Sequence, residues 1–497
     1  MTYYWPIPGA SRGLVVAVTL ILWSGCSLLQ PLQRQSVDDL GHFEFRRSLT
    51  HLTRTVIGVP RASTEPAAIQ YAGAIRDHMD AGLVAAYDFE NKGISVSQPI
   101  VQRSPISWSA ANGVGRGSIY AEFRALLGST VDGPIEFYVG LRAANSPNPA
   151  QRIEVASAGL SFEQLKVLKS TYGQIRDRMI ATRDLPRVEI ALNPLDDISW
   201  NSDGVKNHGV LMLARRGLIL RIPNVLAGDH VRVVYQDILA AWVSEARSLS
   251  MNYRAPLPEV DVTPMALGRI DAIPARSDRR GIVIGAPHGS FDWYTGELVE
   301  ELSYRTSLPA VIARGFTPTE CGGWRINVNR PTERRYPTDT IERNTARAGE
   351  VYQRYSETVF SAARGPLDLY IDMHQNGEVD DIDVATVGIT RSEAQAIKTD
   401  YQQIRDQVLR KFPDAAKVNL VIEPVDQVAI GAWAAKDHGI LSIAKSSLHF
   451  EMPSHQVFYR DTDRRAYRKI LAELIVQIVN SRGNSSPPAS LKKPTQR

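Results

Sequence analysis

Cysteine is almost absent. Cys26 and Cys321 are the only two in 497 residues, so no disulfide framework can hold this chain, and its stability must come from apolar cores. An excess of charge of one sign is missing too. The 57 basic residues are balanced by 53 acidic ones, the formal net charge is +4, and no dense Lys/Arg stripe is present, which excludes the electrostatic footprint of a nucleic-acid binder. The N-terminal apolar run, residues 13–23, is about eleven residues long and too short to span a bilayer comfortably.

That run follows Arg12 and precedes Ser24-Gly25-Cys26, so residues 1–26 read as a secretory signal with its h-region. Small residues before a cysteine resemble the bacterial lipoprotein cleavage box. Cys26 would then be the lipidated first residue of a membrane-anchored, periplasm-facing protein of the bacterial cell envelope; a plain signal peptide or an uncleaved anchor is the alternative. Residues 27–50 read as a polar tether and residues 483–497 as a compositionally disordered tail.

A chain of this length, 43% hydrophobic, needs more than one core. Residues 51–253 predict an α+β N-terminal domain of unknown role. Its clearest signals are a helix opening at Ser161 with Gln164 completing a capping box, a second helix over 229–247, and a strand over 188–192. Two apolar runs, 210–214 and 218–222, flank Arg215-Arg216-Gly217 and predict a hairpin. Pro256, Pro258, Pro264 and Pro274 mark residues 254–278 as a linker. Beyond it, over 279–482, strands and helices alternate. That pattern predicts an α/β domain: a mixed, mostly parallel sheet flanked by helices, with active groups at the C-terminal ends of its strands.

Four short motifs fall at such ends: Pro287-His288-Gly289-Ser290-Phe291-Asp292, Asn327-Val328-Asn329-Arg330, Ile371-Asp372-Met373-His374 and His449-Phe450-Glu451-Met452. Imidazoles bind divalent metals as neutral donors, and a carboxylate beside them completes a three-ligand site. His288 and His374 are candidate ligands; Asp292 is either a third ligand or a helix N-cap. Asp372 would share a strand face with His374 and could orient its ring. Glu451 is costly to bury idle, and beside a metal it can act as general base, with His449 a spare ligand on the same face. Asn329 and Arg330 suit a substrate carboxylate, because a guanidinium grips carboxylate with two parallel hydrogen bonds. Arg314 and Arg325 are further cationic candidates near that motif, though solvated surface is the favoured reading of each, and Arg334-Arg335 reads as a solvated face.

Taken in order, residues 285–292, 327–331, 370–377 and 447–453 resemble the zinc carboxypeptidase superfamily, within it the N-formylglutamate amidohydrolase-like branch, over about 275–480. The acidic residue here is Asp at His+4, where the carboxypeptidase pattern has Glu at His+3, and Pro331 favours the amidohydrolase branch. The resemblance implies one zinc per chain on His288, Asp292 and His374. It also implies Glu451 as the base and Asn329 with Arg330 as the substrate grip. The implied activity is hydrolysis of an amide in a small carboxylate-bearing acyl-amino acid or peptide. A murein or peptide carboxypeptidase and a non-catalytic envelope lipoprotein on the same fold are the alternatives.

Overall fold

The structure, a computed structural model, describes residues 31–483 apart from 38, 51–52, 99–113, 144–150 and 252–258. The signal expected over 1–26, with Cys26, and the tail from 484 lie outside the described residues.

The first half forms a sheet from β1 (Gln33–Val37), β2 (Gly41–Arg46), β3 (Thr55–Val59), β4 (Gly82–Tyr87), β5 (Phe137–Ala143), β6 (Ile153–Ala158), β7 (Ile190–Asn193) and β8 (Arg216–Ile222). They hydrogen-bond in the order β1-β2-β4-β3-β5-β8-β6-β7. In the second half the chain runs through β9 (Asp261–Met265), β10 (Gly268–Ile273), β11 (Ile282–Ala286) and β12 (Ala310–Gly315). A small sheet follows, β13 (Trp324–Asn327), β14 (Thr332–Arg335) and β15 (Arg343–Asn344), and then β16 (Leu369–Asn376), β17 (Ile382–Val387), β18 (Leu420–Ile422) and β19 (Ser446–Pro453). The large second sheet has the order β18-β17-β19-β16-β11-β12-β10-β9. At its centre β12, β11, β16 and β19 run parallel, and their inner residues are almost wholly buried between helices, as the long apolar runs require. The mixed α/β layer expected of the second half is therefore present.

Three expectations give way. The first half is not a segregated α+β domain: β4, β3, β5 and β8 are parallel neighbours, and the sheet has the same mixed order as the second. The tether and the linker both contain strands, since β1 and β2 edge the first sheet and β9 and β10 edge the second. No hairpin forms at 215–217. Val210–Leu213 is a 3₁₀ turn packed inward, and β8 lies mid-sheet between parallel β5 and antiparallel β6, where its apolar residues are covered on both faces.

The halves meet through buried polar pairs. Lys206, at 0% side-chain exposure, donates to Glu300 at 2.5 Å and to Asn193 Oδ1 at 2.9 Å, and Ser202 donates to Glu297 at 2.9 Å. Removing one member of such a pair leaves the other charged and dry. Lys206→Met is therefore expected to destabilise the protein by about 3–5 kcal/mol, read as a lowered midpoint in denaturant unfolding. A midpoint unchanged from wild type would show the pair to be solvated.

Candidate active site

Parallel register builds the site. β16 and β19 are paired so that Asp372 lies opposite His449 and His374 opposite Glu451, and alternation along each strand puts all four on one face. β11 ends beside them, and the turn after it delivers His288 and Asp292 before helix Thr295–Thr306 begins. Gly289 follows His288 where the chain runs tight against β12: a Cβ there would sit 2.7 Å from Ile312 and 2.8 Å from the Ala313 carbonyl.

The side chains form one continuous row. Asp292 Oδ2 lies 3.2 Å from His288 Nδ1 and 2.8 Å from His374 Nδ1. Asp372 Oδ2 holds the other nitrogen of His374, Nε2, at 2.9 Å and His449 Nδ1 at 2.8 Å, and His449 Nε2 meets Glu451 Oε1 at 3.1 Å. Tyr370, hydrogen-bonded to the Tyr355 hydroxyl, donates to the second oxygen of Asp372 at 3.1 Å.

Electrostatics follow from burial and this alternation. Burial holds the His288 pKa down to about 3, against the pull of Asp292 and with Arg325 adding to the drop. Burial would raise the Asp292 carboxyl, but the two imidazoles on it hold it well below the usual carboxylate range, and Asp372 is lowered in the same way by His374 and His449. Burial also opposes charge on His374, yet the carboxylates of Asp372 and Asp292 on its two ring nitrogens raise it well above the ordinary imidazole value. The centre of the row is a place that stabilises positive charge.

Two overlapping sets of donors could hold a metal: His288, Asp292 and His374, or Asp372, His374 and His449, each with its donor atoms within 4.8 Å of one another. The first set fits an open catalytic site better. His288, Asp292 and His374 all line a cleft of about 980 Å³, which Glu451 and His449 also line, whereas Asp372 lies behind the ring it orients. Arg325 Nη2 stands 3.0 Å from His288 Nδ1, and its positive charge adds to burial in keeping that ring neutral. Two neutral-capable imidazoles and one carboxylate suit zinc.

The Asn329-Arg330 motif reaches the same cleft but is already engaged. Glu342 takes one edge of the Arg330 guanidinium, accepting from Nε at 2.8 Å and from Nη2 in a shorter contact, and Arg330 Nη1 donates to Asn329 Oδ1 at 3.0 Å. The free bidentate grip expected of Arg330 is thus met within the protein. Burial would raise the Glu342 carboxyl, but its bonds to Arg330 bring it down to about 2. Arg325 and Arg334 also line the cleft, each with a buried Nε that has no hydrogen-bond partner. Arg325 is no solvated surface residue: its guanidinium stacks 3.9 Å over the Phe291 ring, and burial lowers its pKa to about 10. Arg314 is not at the surface either; it is fully buried on Asp271 at 2.9 Å, away from the cleft. The first half contributes His208, which packs against Trp293 with ring centroids 5.0 Å apart and lines the cleft, a residue no motif singled out.

No protein-family model matches the chain, and no curated protein matches it. Solved structures resemble part of it. A bacteriophage poly-gamma-glutamate hydrolase is 9% identical over 43% of this chain and 93% of its own, with a TM-score of 0.26. A metallo-carboxypeptidase from Burkholderia cenocepacia is 14% identical over 48% of this chain and 69% of its own, with a TM-score of 0.28. Likeness at this level leaves function to the chemistry of the site.

Proposed function

We propose that the second half is a zinc-dependent hydrolase, with one ion per chain, that cleaves an amide bond in a small acyl-amino acid or peptide bearing a free carboxylate. The convergence of His288, Asp292 and His374 on one buried point, with Glu451 on the same cleft, carries this reading. Zinc held there would supply a Lewis acid for the carbonyl and lower the pKa of a water. Asp372 fixes the tautomer and tilt of His374 through its 2.9 Å bond. Glu451, its Oε1 steadied by His449, takes the proton of the attacking water and passes it to the leaving nitrogen. Arg325 and Arg334 face the cleft with donors to spare and suit the substrate carboxylate or the developing oxyanion, while Arg330 and Asn329 form the polar wall beside them.

Arg325→Gln is expected to raise KM at least tenfold for substrates with a free carboxylate and far less for their amides, a split read from steady-state kinetics on the two series. Equal effects on both would remove Arg325 from carboxylate recognition. Pro331 after Asn329-Arg330 favours N-acyl amino acids, the N-formylglutamate amidohydrolase-like choice, over C-terminal trimming of murein peptides. Screening both substrate sets against the zinc-loaded protein tests the whole reading. Zinc binding without hydrolysis of either would favour the binding-module alternative.

Export and anchoring at the bacterial envelope belong to the same proposal and rest on the apolar run before Cys26. Among the described residues no helix is long and apolar enough to cross a membrane. Acylation of Cys26 would supply the attachment. Cys26→Ser is expected to move the protein from the membrane fraction to the soluble one; unchanged fractionation would exclude the lipid anchor.

A further inference from the structure

The two sheets do more than share an order; they share a register. In the first half β5 and β8 set Arg142 opposite Arg221, as β16 and β19 set His374 opposite Glu451 in the second. Antiparallel β6 and β8 pair Glu154 with Arg221, as β17 and β19 pair Asp383 with Glu451. Details away from the sites repeat as well. Tyr172 and Arg176 both donate to the Val188 carbonyl, at 2.9 and 3.1 Å, and Tyr401 and Arg405 both donate to the Val418 carbonyl, at 2.8 and 3.1 Å. Helices Phe162–Ile180 and Arg391–Leu409 open with the same capping box, and the Tyr138 and Tyr370 hydroxyls crowd the Cα of Gly58 and Gly285. A register kept through four strand pairs and these side-chain clamps has one economical origin, duplication of a single domain.

The copies differ where the chemistry lies. Aligning β3 on β11 sets Pro60-Arg61 on Pro287-His288 and Glu65 on Asp292; the paired strands set Arg142 on His374 and Arg221 on Glu451. Gly140 and Ile219 stand where the second half has Asp372 and His449. Guanidinia have replaced both imidazoles and the base. Glu65, with a side chain at 0% exposure, accepts from Arg142 Nε at 3.3 Å and from the Ala143 amide at 2.8 Å, and Arg61 lies 4.0 Å from it. Arg221 and Arg152 share the equally buried Glu154, at 3.7 and 3.4 Å. Four arginines thus meet two carboxylates. The acids are fully enclosed, while the arginine side chains stay partly exposed, Arg142 and Arg221 at 23%, Arg152 at 32% and Arg61 at 44%. Positive charge is left over, and it faces outward at the C-terminal ends of the strands.

We propose that the first half is a duplicated, hydrolytically inert copy whose former reaction centre binds carboxylate-bearing ligands on Arg61, Arg142 and Arg221. A cation still draws an oxygen to this point, as a metal would in the other half, but fixed guanidinia offer paired donors to a carboxylate and cannot activate water. No imidazole remains there, and both carboxylates, Glu65 and Glu154, are enclosed and already engaged by the arginines. The copy holds an acidic ligand without cutting it.

Titration calorimetry with triglutamate on the full-length, zinc-loaded Glu451→Gln protein tests this, since that background does not consume the probe. Arg61→Gln combined with Arg221→Gln leaves Arg142 on the buried Glu65, and an unchanged thermal midpoint would verify the fold. The double substitution is expected to weaken one binding event at least tenfold and, in the otherwise wild-type chain, to leave hydrolysis unaltered. Triglutamate binding indifferent to the pair would overturn the proposal, as would hydrolysis lost with it. The readout is sensitivity to Arg61 and Arg221, so a second half that failed to hydrolyse any amide would leave the result intact.

Discussion

Glutamine at position 451 is expected to lower turnover by roughly 10²–10⁴-fold while zinc content and KM stay close to wild type, the range a positioned general base supplies. Glu451 sits opposite His374 in the β16–β19 register and lines the cleft, so its carboxylate is beside the candidate ligands without being one of them. The amide is nearly isosteric, and its oxygen can still accept from His449 Nε2, the bond that now runs 3.1 Å to Oε1. Only the capacity to take a proton is removed. Because proton transfer acts in the transition state, the loss belongs in kcat and not in substrate affinity. Steady-state kinetics with zinc measured on the same sample decides it. Unaltered turnover on the true substrate would remove Glu451 from catalysis, and a loss of zinc alongside turnover would make it a ligand.

Much of the second half was legible because its signals are local. His288, His374 and Glu451 each close an apolar run that can only be a buried strand, and the strand 382–387 and the helix opening at Thr390 carry their own boundaries. Arg325 was not legible. It lies on the β13–β14 hairpin, and only tertiary folding brings that hairpin over His288. The run 210–222 misled for a related reason: Arg215-Arg216-Gly217 has turn composition, but pairing of β8 with β5, some eighty residues earlier, overrides it. The duplication was present in plain sequence. Tyr172-Gly-Gln-Ile-Arg-Asp177 answers Tyr401-Gln-Gln-Ile-Arg-Asp406, and Lys206-Asn-His-Gly-Val-Leu211 answers Lys436-Asp-His-Gly-Ile-Leu441. The Tyr and Arg side chains clamp a backbone carbonyl and the lysines bind glutamates, so a search for reactive residues passes over these segments. The reactive positions are the ones that diverged.

His288→Ala and His374→Ala are each expected to release the metal, leaving zinc near zero per chain after dialysis, because a three-ligand site that loses one donor is a poor chelate. The pattern across the row identifies the ion's place. His374 belongs to both candidate sets, so its loss alone decides nothing; His288 and Asp292 belong to one, Asp372 and His449 to the other. With the ion on the cleft side, Asp292→Ala empties the site, His449→Ala keeps it filled, and Asp372→Asn weakens affinity by only about 10–100-fold, the usual cost of an outer partner that orients a ligand. Asp372 would show this smaller effect because its contact is with Nε2 of His374, the nitrogen turned away from Asp292. Zinc retained in His288→Ala but lost in His449→Ala would move the ion to the inner set. There it would lie beside Glu451, still at the cleft that His374 and His449 line, and the site would be built on β16 and β19 alone, with no ligand from the turn after β11.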